Sequence, residues 1–264
     1  MILIDSHCHL DSLDYQNLHR DVDEVMARAA ERDVKFCLSV ATTLSGYKAM
    51  VDLIGKRPDI AYSCGVHPLN LDEDEGWTYS QLRQLAANEQ VVALGETGLD
   101  YYCQQENKAY QQTSFREHIR IGCELNKPVI VHTRNAKADT LAILREEQVQ
   151  RCGGVLHCFT EDIPMARALL DLGFYISFSG IVTFRNAQAL REVVRYVPEH
   201  HLLIETDSPW LAPAPHRGKE NQPAYVRDIA ECVAELKEIS LETLARITME
   251  NFVRLFHITP NSPV

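Results

Sequence analysis

Short apolar runs recur along the chain at residues 2–4, 34–40, 61–66, 91–94, 129–131, 155–156, 174–178 and 202–204. Most are brief and continuously apolar, the pattern of strands covered on both faces rather than of a sheet with one wet side. Between them lie amphipathic stretches rich in Ala, Leu, Glu and Arg, at 22–32, 81–89, 107–125, 139–147, 163–172 and 187–196, which read as helices. Alternating strand and helix signals predict parallel strands joined by crossover helices. Eight such units in 264 residues favour closure into a (β/α)₈ TIM barrel over an open doubly wound sheet. No GxGxxG follows the first run, which removes the usual dinucleotide site of an α/β chain. Two further helices, 223–237 and 241–256, follow a proline-rich stretch at 208–215 and are expected to complete the outer ring. No repeat, low-complexity tract or linker marks a boundary, so 1–264 reads as one domain.

Composition changes this picture little. A hydrophobic content of 45% is ordinary for a globular domain with a large core. The start, Met1-Ile2-Leu3-Ile4-Asp5, lacks the basic region and long apolar stretch of a signal peptide, and no later segment is apolar enough to span a bilayer. The eight cysteines are scattered without CxxC spacing and read as free thiols, so a cytoplasmic protein without a membrane or obligate protein partner is expected. Charge is more informative. A formal net charge of -11 argues against broad adhesion to long duplexes, which needs a basic face to displace counterions from many phosphates. A site that grips one or two phosphates locally remains compatible with it, since bound dications would supply positive charge where it is needed.

The candidate chemistry falls where the apolar runs end. Residues 2–4 lead to His7 and His9, 91–94 to Glu96, 129–131 to His132, 155–156 to His157, and 202–204 to Asp207. In a barrel all strand C-termini share one rim, so these six side chains from five strands would converge on one cavity. The HxH spacing puts both imidazoles of His7 and His9 on one side of a pleated strand. Glu96 could bridge two ions with its two oxygens, with Asp207 completing the His7 and His9 sphere and His132 and His157 forming another. Nitrogen and oxygen donors without thiolate suit Zn, Mn, Ni or Fe, and Mg less readily where imidazole dominates. Paired ions of this kind can activate a water and stabilise a leaving oxygen, the arrangement used in phosphoryl hydrolysis.

Six segments carry a resemblance: Asp5-Ser6-His7-Cys8-His9-Leu10, Gly65-Val66-His67-Pro68, Gly95-Glu96-Thr97-Gly98-Leu99-Asp100-Tyr101, Lys127-Pro128-Val129-Ile130-Val131-His132, His157-Cys158-Phe159-Thr160 and Glu205-Thr206-Asp207-Ser208-Pro209. With them the chain resembles the TatD family of metal-dependent deoxyribonucleases, within the larger amidohydrolase group of barrels. The resemblance implies that His7, His9, Glu96 and Asp207 hold one divalent ion and Glu96, His132 and His157 a second, and that Asp207 takes the proton of the attacking water. It further implies hydrolysis of nucleic-acid ends, supported by Mg²⁺ or Mn²⁺, with Zn²⁺ also compatible with the donors. One departure is Asn135, where the family commonly has an acid. Loss of that charge would weaken the support of Arg134 or of a metal ligand if the acid orients them, and changes nothing if it caps the following helix.

Around this set, His67 should face the same rim, where it either meets a phosphate oxygen or a ligand or caps the strand. Arg134, Arg185 and the cluster His216-Arg217-Gly218-Lys219 are the basic groups nearest the expected mouth, with Arg134 and Arg217 as candidate phosphate contacts. Glu220, Asn221, Tyr101 and Tyr102 are candidate substrate contacts in loops above the site, although loop tyrosines also pack against helices. His200 and His201 precede the eighth strand and belong to the opposite end. The rival function is an amidohydrolase acting on a C–N or ester bond, because related barrels use the same donor types; the basic cluster around Arg217 favours phosphate. A non-catalytic metal-binding barrel fits poorly, since no donor position is filled by an inert residue.

Overall fold

The computed structural model of the chain describes residues 1–74 and 76–260; the end of the expected single domain, 261–264, lies outside them. Eight strands follow one another round a single sheet: β1 (Leu3–Cys8), β2 (Val34–Ser39), β3 (Ile60–Cys64), β4 (Val91–Asp100), β5 (Val129–Arg134), β6 (Gly154–Leu156), β7 (Tyr175–Phe178) and β8 (Leu202–Ile204). Every neighbouring pair from β1 and β2 to β7 and β8 is parallel. The expected TIM barrel is therefore present. Its last seam, between β8 and β1, is closed by individual bonds. Ser6 Oγ donates to the Ile204 carbonyl at 2.7 Å, Thr206 N to Asp5 Oδ1 at 2.9 Å, Asp207 N to the His7 carbonyl at 2.9 Å and His9 N to the Ser208 carbonyl at 2.9 Å.

The outer ring is made of α1 (Val22–Glu31), α2 (Leu44–Ile54), α3 (Tyr79–Ala86), α4 (Lys108–Leu125), α5 (Lys137–Glu146), α6 (Ile163–Asp171), α7 (Gln188–Tyr196) and α8 (Val226–Lys237). The sequence pattern did not single out α2, yet its buried Leu44, Tyr47, Met50 and Ile54 keep a helical spacing and Thr43 caps it by accepting from Gly46 N. The helices cover the outward side chains of the strands, including Leu3, Val34, Tyr62, Val131 and Ile204.

The final helix, α9 (Leu241–Phe256), corrects the expectation that the last two helices both complete the ring. Its Phe252, Leu255 and Phe256 join a separate buried cluster made of alternate strand residues, among them Ile4, Phe36, Ala61, Ala93, Ile130, Val155, Tyr175 and Leu203. These are the inward positions at the N-terminal end of the strands. With α1 to α8 already surrounding the sheet, the remaining apolar surface is the open bottom of the barrel, and α9 shields it from water.

Strand β4 is longer than its apolar core. It continues through Glu96 to Asp100 beside β5, with a register shift between Leu94 and Thr97. Gly98 makes this possible: its φ is 139°, and a Cβ there would lie 1.9 Å from the His132 carbonyl oxygen. The close approach brings the Glu96 and His132 side chains to the same point above the barrel.

Candidate metal centre

At the C-terminal end of the barrel lies a cavity of about 800 Å³ whose wall includes His9, His67, Glu96, His132, Arg134, His157 and Asp207. All six side chains expected to converge do so, around the carboxylate of Glu96. Its two oxygens face different partners. Oε1 lies 3.2 Å from His7 Nε2 and 3.6 Å from His9 Nε2, and Asp207 Oδ1 lies 3.4 Å and 3.3 Å from the same two nitrogens. Oε2 lies 2.8 Å from His157 Nε2, 3.4 Å from His132 Nδ1 and 3.2 Å from His67 Nε2. His67 faces the same oxygen, but its Nδ1 accepts from Leu69 N at 3.1 Å, so the neutral ring carries its proton on Nε2 and donates to Glu96 rather than turning a lone pair inward.

These donors fit metal ions. Ligands about 2.1 Å from one ion stand about 3.0–3.4 Å from each other in octahedral or tetrahedral arrangement, close to the separations observed. The far nitrogens are already engaged. His9 Nδ1 donates to the Val40 carbonyl at 2.9 Å, His132 Nε2 to Asp100 Oδ2 at 2.9 Å and His157 Nδ1 to Glu205 Oε2 at 3.0 Å. Because those oxygens accept, each ring keeps its proton on the outer side and turns a lone pair inward, the usual support of a metal-ligating histidine. His7 differs: its Nδ1 is buried without a hydrogen-bond partner, and its ring stacks on His157 with centroids 3.8 Å apart. The Nε2 atoms of His7 and His9 are only 3.2 Å apart, a repulsive contact for two inward lone pairs that a cation between them relieves.

Electrostatics point the same way. Burial works against ionisation of Glu96, yet the positive charge of His157 and His67 and the hydrogen bonds of His132 and His157 hold it well below the usual carboxylate range. Asp207 is also lowered, burial being outweighed by its bond from His9 and by His157 and His7. Burial works to lower His9, but Asp207 and Glu96 raise it to about 9. His157 is raised well above its ordinary value against burial by Glu96 and Glu205, whereas burial prevails at His67 and lowers it. A buried and a partly buried carboxylate that stay ionised and draw protons onto their neighbours form a site that demands positive charge, which a divalent ion supplies without protons.

Asp100 and Glu205 belong to the motif segments, but no role of their own is read from the sequence. Both are wholly buried or nearly so and hold imidazoles in place; Glu205 Oε1 also accepts from Cys158 N at 2.8 Å. The signal for Asp100 was its position four residues after Glu96 on one strand, which returns it to the same face. For Glu205 it was the spacing of two from Asp207.

The other candidates separate. Arg134 lines the cavity, its guanidinium carbon 3.8 Å from the centre of the Tyr102 ring. Asn135 is exposed with φ of 52° and makes no side-chain hydrogen bond among the described residues; the N-cap of α5 is Ala136. Neither role considered for an acid there is filled by Asn135, which serves a left-handed turn that Asn tolerates. Arg217 is not on the cavity wall: its guanidinium sits 3.7 Å over Phe184, while His216 stacks on Tyr225 and bonds Asp228 at 3.0 Å, drawing the cluster aside. Arg185 likewise does not line the cavity. Glu220 accepts from Asp14 N, and Asn221 is buried within its own loop. Tyr101 is buried with its hydroxyl donating to Asp139 at 2.8 Å, so it packs rather than presenting a face to the mouth. The sequence pattern did not single out Trp210, which lines the cavity beside His9.

Comparison with known proteins places this geometry. The family profile described as TatD related DNase matches residues 4–257. YcfH of Escherichia coli (strain K12), described as an uncharacterized metal-dependent hydrolase, is 68% identical over 258 residues, 98% of this chain and 97% of its own. YabD of Bacillus subtilis (strain 168), under the same description, is 41% identical across 97% of this chain and 100% of its own. Among solved structures, that of YjjV, a TatD homolog from Escherichia coli K12, superposes with a TM-score of 0.89 at 26% identity, covering 97% of this chain and 98% of its own. No helix among the described residues is long and apolar enough to cross a membrane.

Proposed function

We propose that this chain, which belongs to the TatD related DNase family and is a metal-dependent hydrolase, cleaves phosphodiester bonds of DNA ends or short single strands with two divalent ions at the rim. The observation that carries the reading is the division of Glu96: one oxygen faces His7 and His9, the other His132, His157 and His67. A carboxylate shared in this way matches a bridging ligand between two positive centres. When bound, divalent ions such as Mg²⁺, Mn²⁺ or Zn²⁺ supply Lewis acidity toward phosphoryl oxygens and a water acidic enough to attack near neutral pH.

The chain's own groups account for the rest. Asp207 stays ionised and opens onto the cavity, so it can take the proton of the attacking water. Asp100 and Glu205 keep His132 and His157 in one orientation. Arg134, the only Lys or Arg among the described residues lining the cavity, offers a charged fork to a phosphate and makes no ion pair among those residues. With a net charge of -11 and a single guanidinium at the wall, few phosphates can be gripped at once, which favours ends over long duplexes.

The test is a hydrolysis screen on protein stripped by chelator and reloaded with Mg²⁺, Mn²⁺ or Zn²⁺, using single-stranded oligonucleotides, closed circular duplex, phosphomonoester, amide and lactone substrates. The expected result is two ions per chain, cleavage of short strands restored on reloading, and a shallow salt dependence. Cleavage confined to amides or lactones, or nicking of the closed circle with a steep salt dependence, overturns it.

A further inference from the structure

Trp210 is 51% exposed and stands at the mouth of the cavity, its indole in a T-shaped contact with the His9 imidazole, the ring planes inclined at 65° and the centroids 5.1 Å apart. His9 Nε2 is in turn 3.3 Å from Asp207 Oδ1. The indole therefore stands directly beside one of the donor imidazoles. Ile181 and Leu211 line the cavity as well, following β7 and β8, while Arg134 ends β5, with one strand between it and β7 and two between it and β8. The mouth thus has an aromatic and aliphatic wall on one side and a guanidinium on another.

The backbone under Trp210 is held firmly for an exposed aromatic. Trp210 N donates to the Asp207 carbonyl at 3.1 Å, and buried Asn221 donates through Nδ2 to the carbonyls of Trp210 at 2.7 Å and Thr206 at 2.9 Å. Asp207 and Leu211, at either end of this turn, have φ of 57° and 60°, left-handed values that persist in such residues only when the surroundings impose them. A large ring displayed to solvent on a fixed turn loses little freedom when it meets a partner.

We infer that Trp210 is the stacking platform for the base next to the scissile phosphate, so that the protein selects unpaired strand ends carrying an intact base. The inference rests on the phosphodiester reading above. A base laid on the indole leaves its own helical stack, which a frayed end or single strand permits and a closed duplex resists.

The experiment uses the metal-loaded full chain, short single-stranded oligonucleotides, and the same strands with an abasic tetrahydrofuran residue at the terminal position. An aromatic platform raises affinity by an amount corresponding to roughly 5- to 100-fold in KM. Intact ends should have the lower KM by that factor, and the ratio should collapse towards one in Trp210→Ala and largely return in Trp210→Phe. A second readout is independent of turnover. The chain has two tryptophans, Trp77 and Trp210, and a phosphorothioate-linked dinucleotide should quench a component of the emission that is absent from Trp210→Phe, whereas its abasic counterpart should not. Equal KM for intact and abasic ends, or a rise in Trp210→Ala that is the same for both, overturns the platform while leaving phosphodiester cleavage standing. Base-dependent quenching in a protein that cleaves no phosphodiester would show that Trp210 binds bases but overturn the reaction, and with it the platform's place beside a scissile phosphate.

Discussion

The two ends of this barrel are built from the same strands by different rules. At the floor the strands contribute apolar side chains: Ile4, Ala61, Ala93, Ile130 and Leu203 point inward and meet Phe252, Leu255 and Phe256 of α9 in a cluster made mostly of carbon. At the rim the strands must turn polar side chains inward. Ile4 and His7 are three residues apart, as are Ala93 and Glu96, so strict alternation would turn one of each pair away from the axis. Register shifts lie in both intervals, between Asp5 and Cys8 and between Leu94 and Thr97, and these irregularities re-aim the donors into the cavity. Register shifts also occur at the floor, between Leu3 and Ile4 and between Tyr62 and Ser63, so the two ends differ in the side chains that the strands present there: carbon below, metal donors above.

The largest expected effect breaks the rim and spares the floor. Glu96→Ala removes the carboxylate that both donor groups share, so ion content should fall below one per chain and activity by more than the roughly 100-fold that loss of a supporting partner costs. His132→Ala should empty one position and leave the His7, His9 and Asp207 group loaded. Elemental analysis after dialysis separates the two. Two ions retained in Glu96→Ala would show that the division of its oxygens has no part in binding.

The complementary variant breaks the floor and spares the rim. Phe252 is completely buried, with its ring 5.7 Å from Phe36 and 4.7 Å from Phe256. Phe252→Ala should cost about 3–5 kcal/mol of stability, the range for deleting a buried aromatic ring. Denaturant unfolding measures this, and metal stoichiometry in the native baseline should stay that of the parent chain. Loss of metal without loss of stability would mean that α9 acts on the rim rather than the floor.

The two ends were also unequally legible in the sequence. Rim donors follow apolar runs directly, and a His, Glu or Asp at such a place stands out, so the order of residues alone was enough to name His7, His9, Glu96, His132, His157 and Asp207. The spacing of His7 and His9 sufficed to put them on one side. The floor was not legible, because the apolar stripe of α9 has the same period whether it covers the outside of a barrel or plugs its end. Arg217 was misleading for a related reason: charge and a glycine neighbour mark an exposed loop, but its direction is set by distant partners, here Phe184 for Arg217 itself and Asp228 and Tyr225 for His216. Trp210 escaped notice because an aromatic after a proline is unremarkable until His9 is seen beside it.

The smallest of these effects sharpens the contrast through pH. His118 on α4 is completely buried behind the rim, with Trp77 at 5.8 Å, and ties the wall together. Its Nδ1 donates to the Ser114 carbonyl at 2.7 Å and its Nε2 accepts from Val66 N at 2.9 Å, one residue before His67. Burial lowers its pKa from 6.5 to about 4, only partly offset by the Ser114 carbonyl. Between those values the unfolded chain binds a proton that the folded chain refuses, so stability falls as pH falls from 6.5 towards 4, and the contribution is complete above 6.5. The displacement corresponds to about 3 kcal/mol. His201, at the margin of the floor against Tyr175, is also lowered by burial and adds in the same direction, but the carbon contacts of the floor itself do not titrate. His118→Gln removes the α4 group alone. Unfolding of metal-free protein should show the variant less stable than the parent at pH 7, with the difference narrowing by up to about 3 kcal/mol as pH approaches 4. The comparison is made between the two proteins at each pH, so the metal-donor imidazoles, common to both, drop out of it. Parallel curves across that range would mean that the proton reaches His118 in the folded state, and that the wall behind the rim is open to water where the structure has it closed.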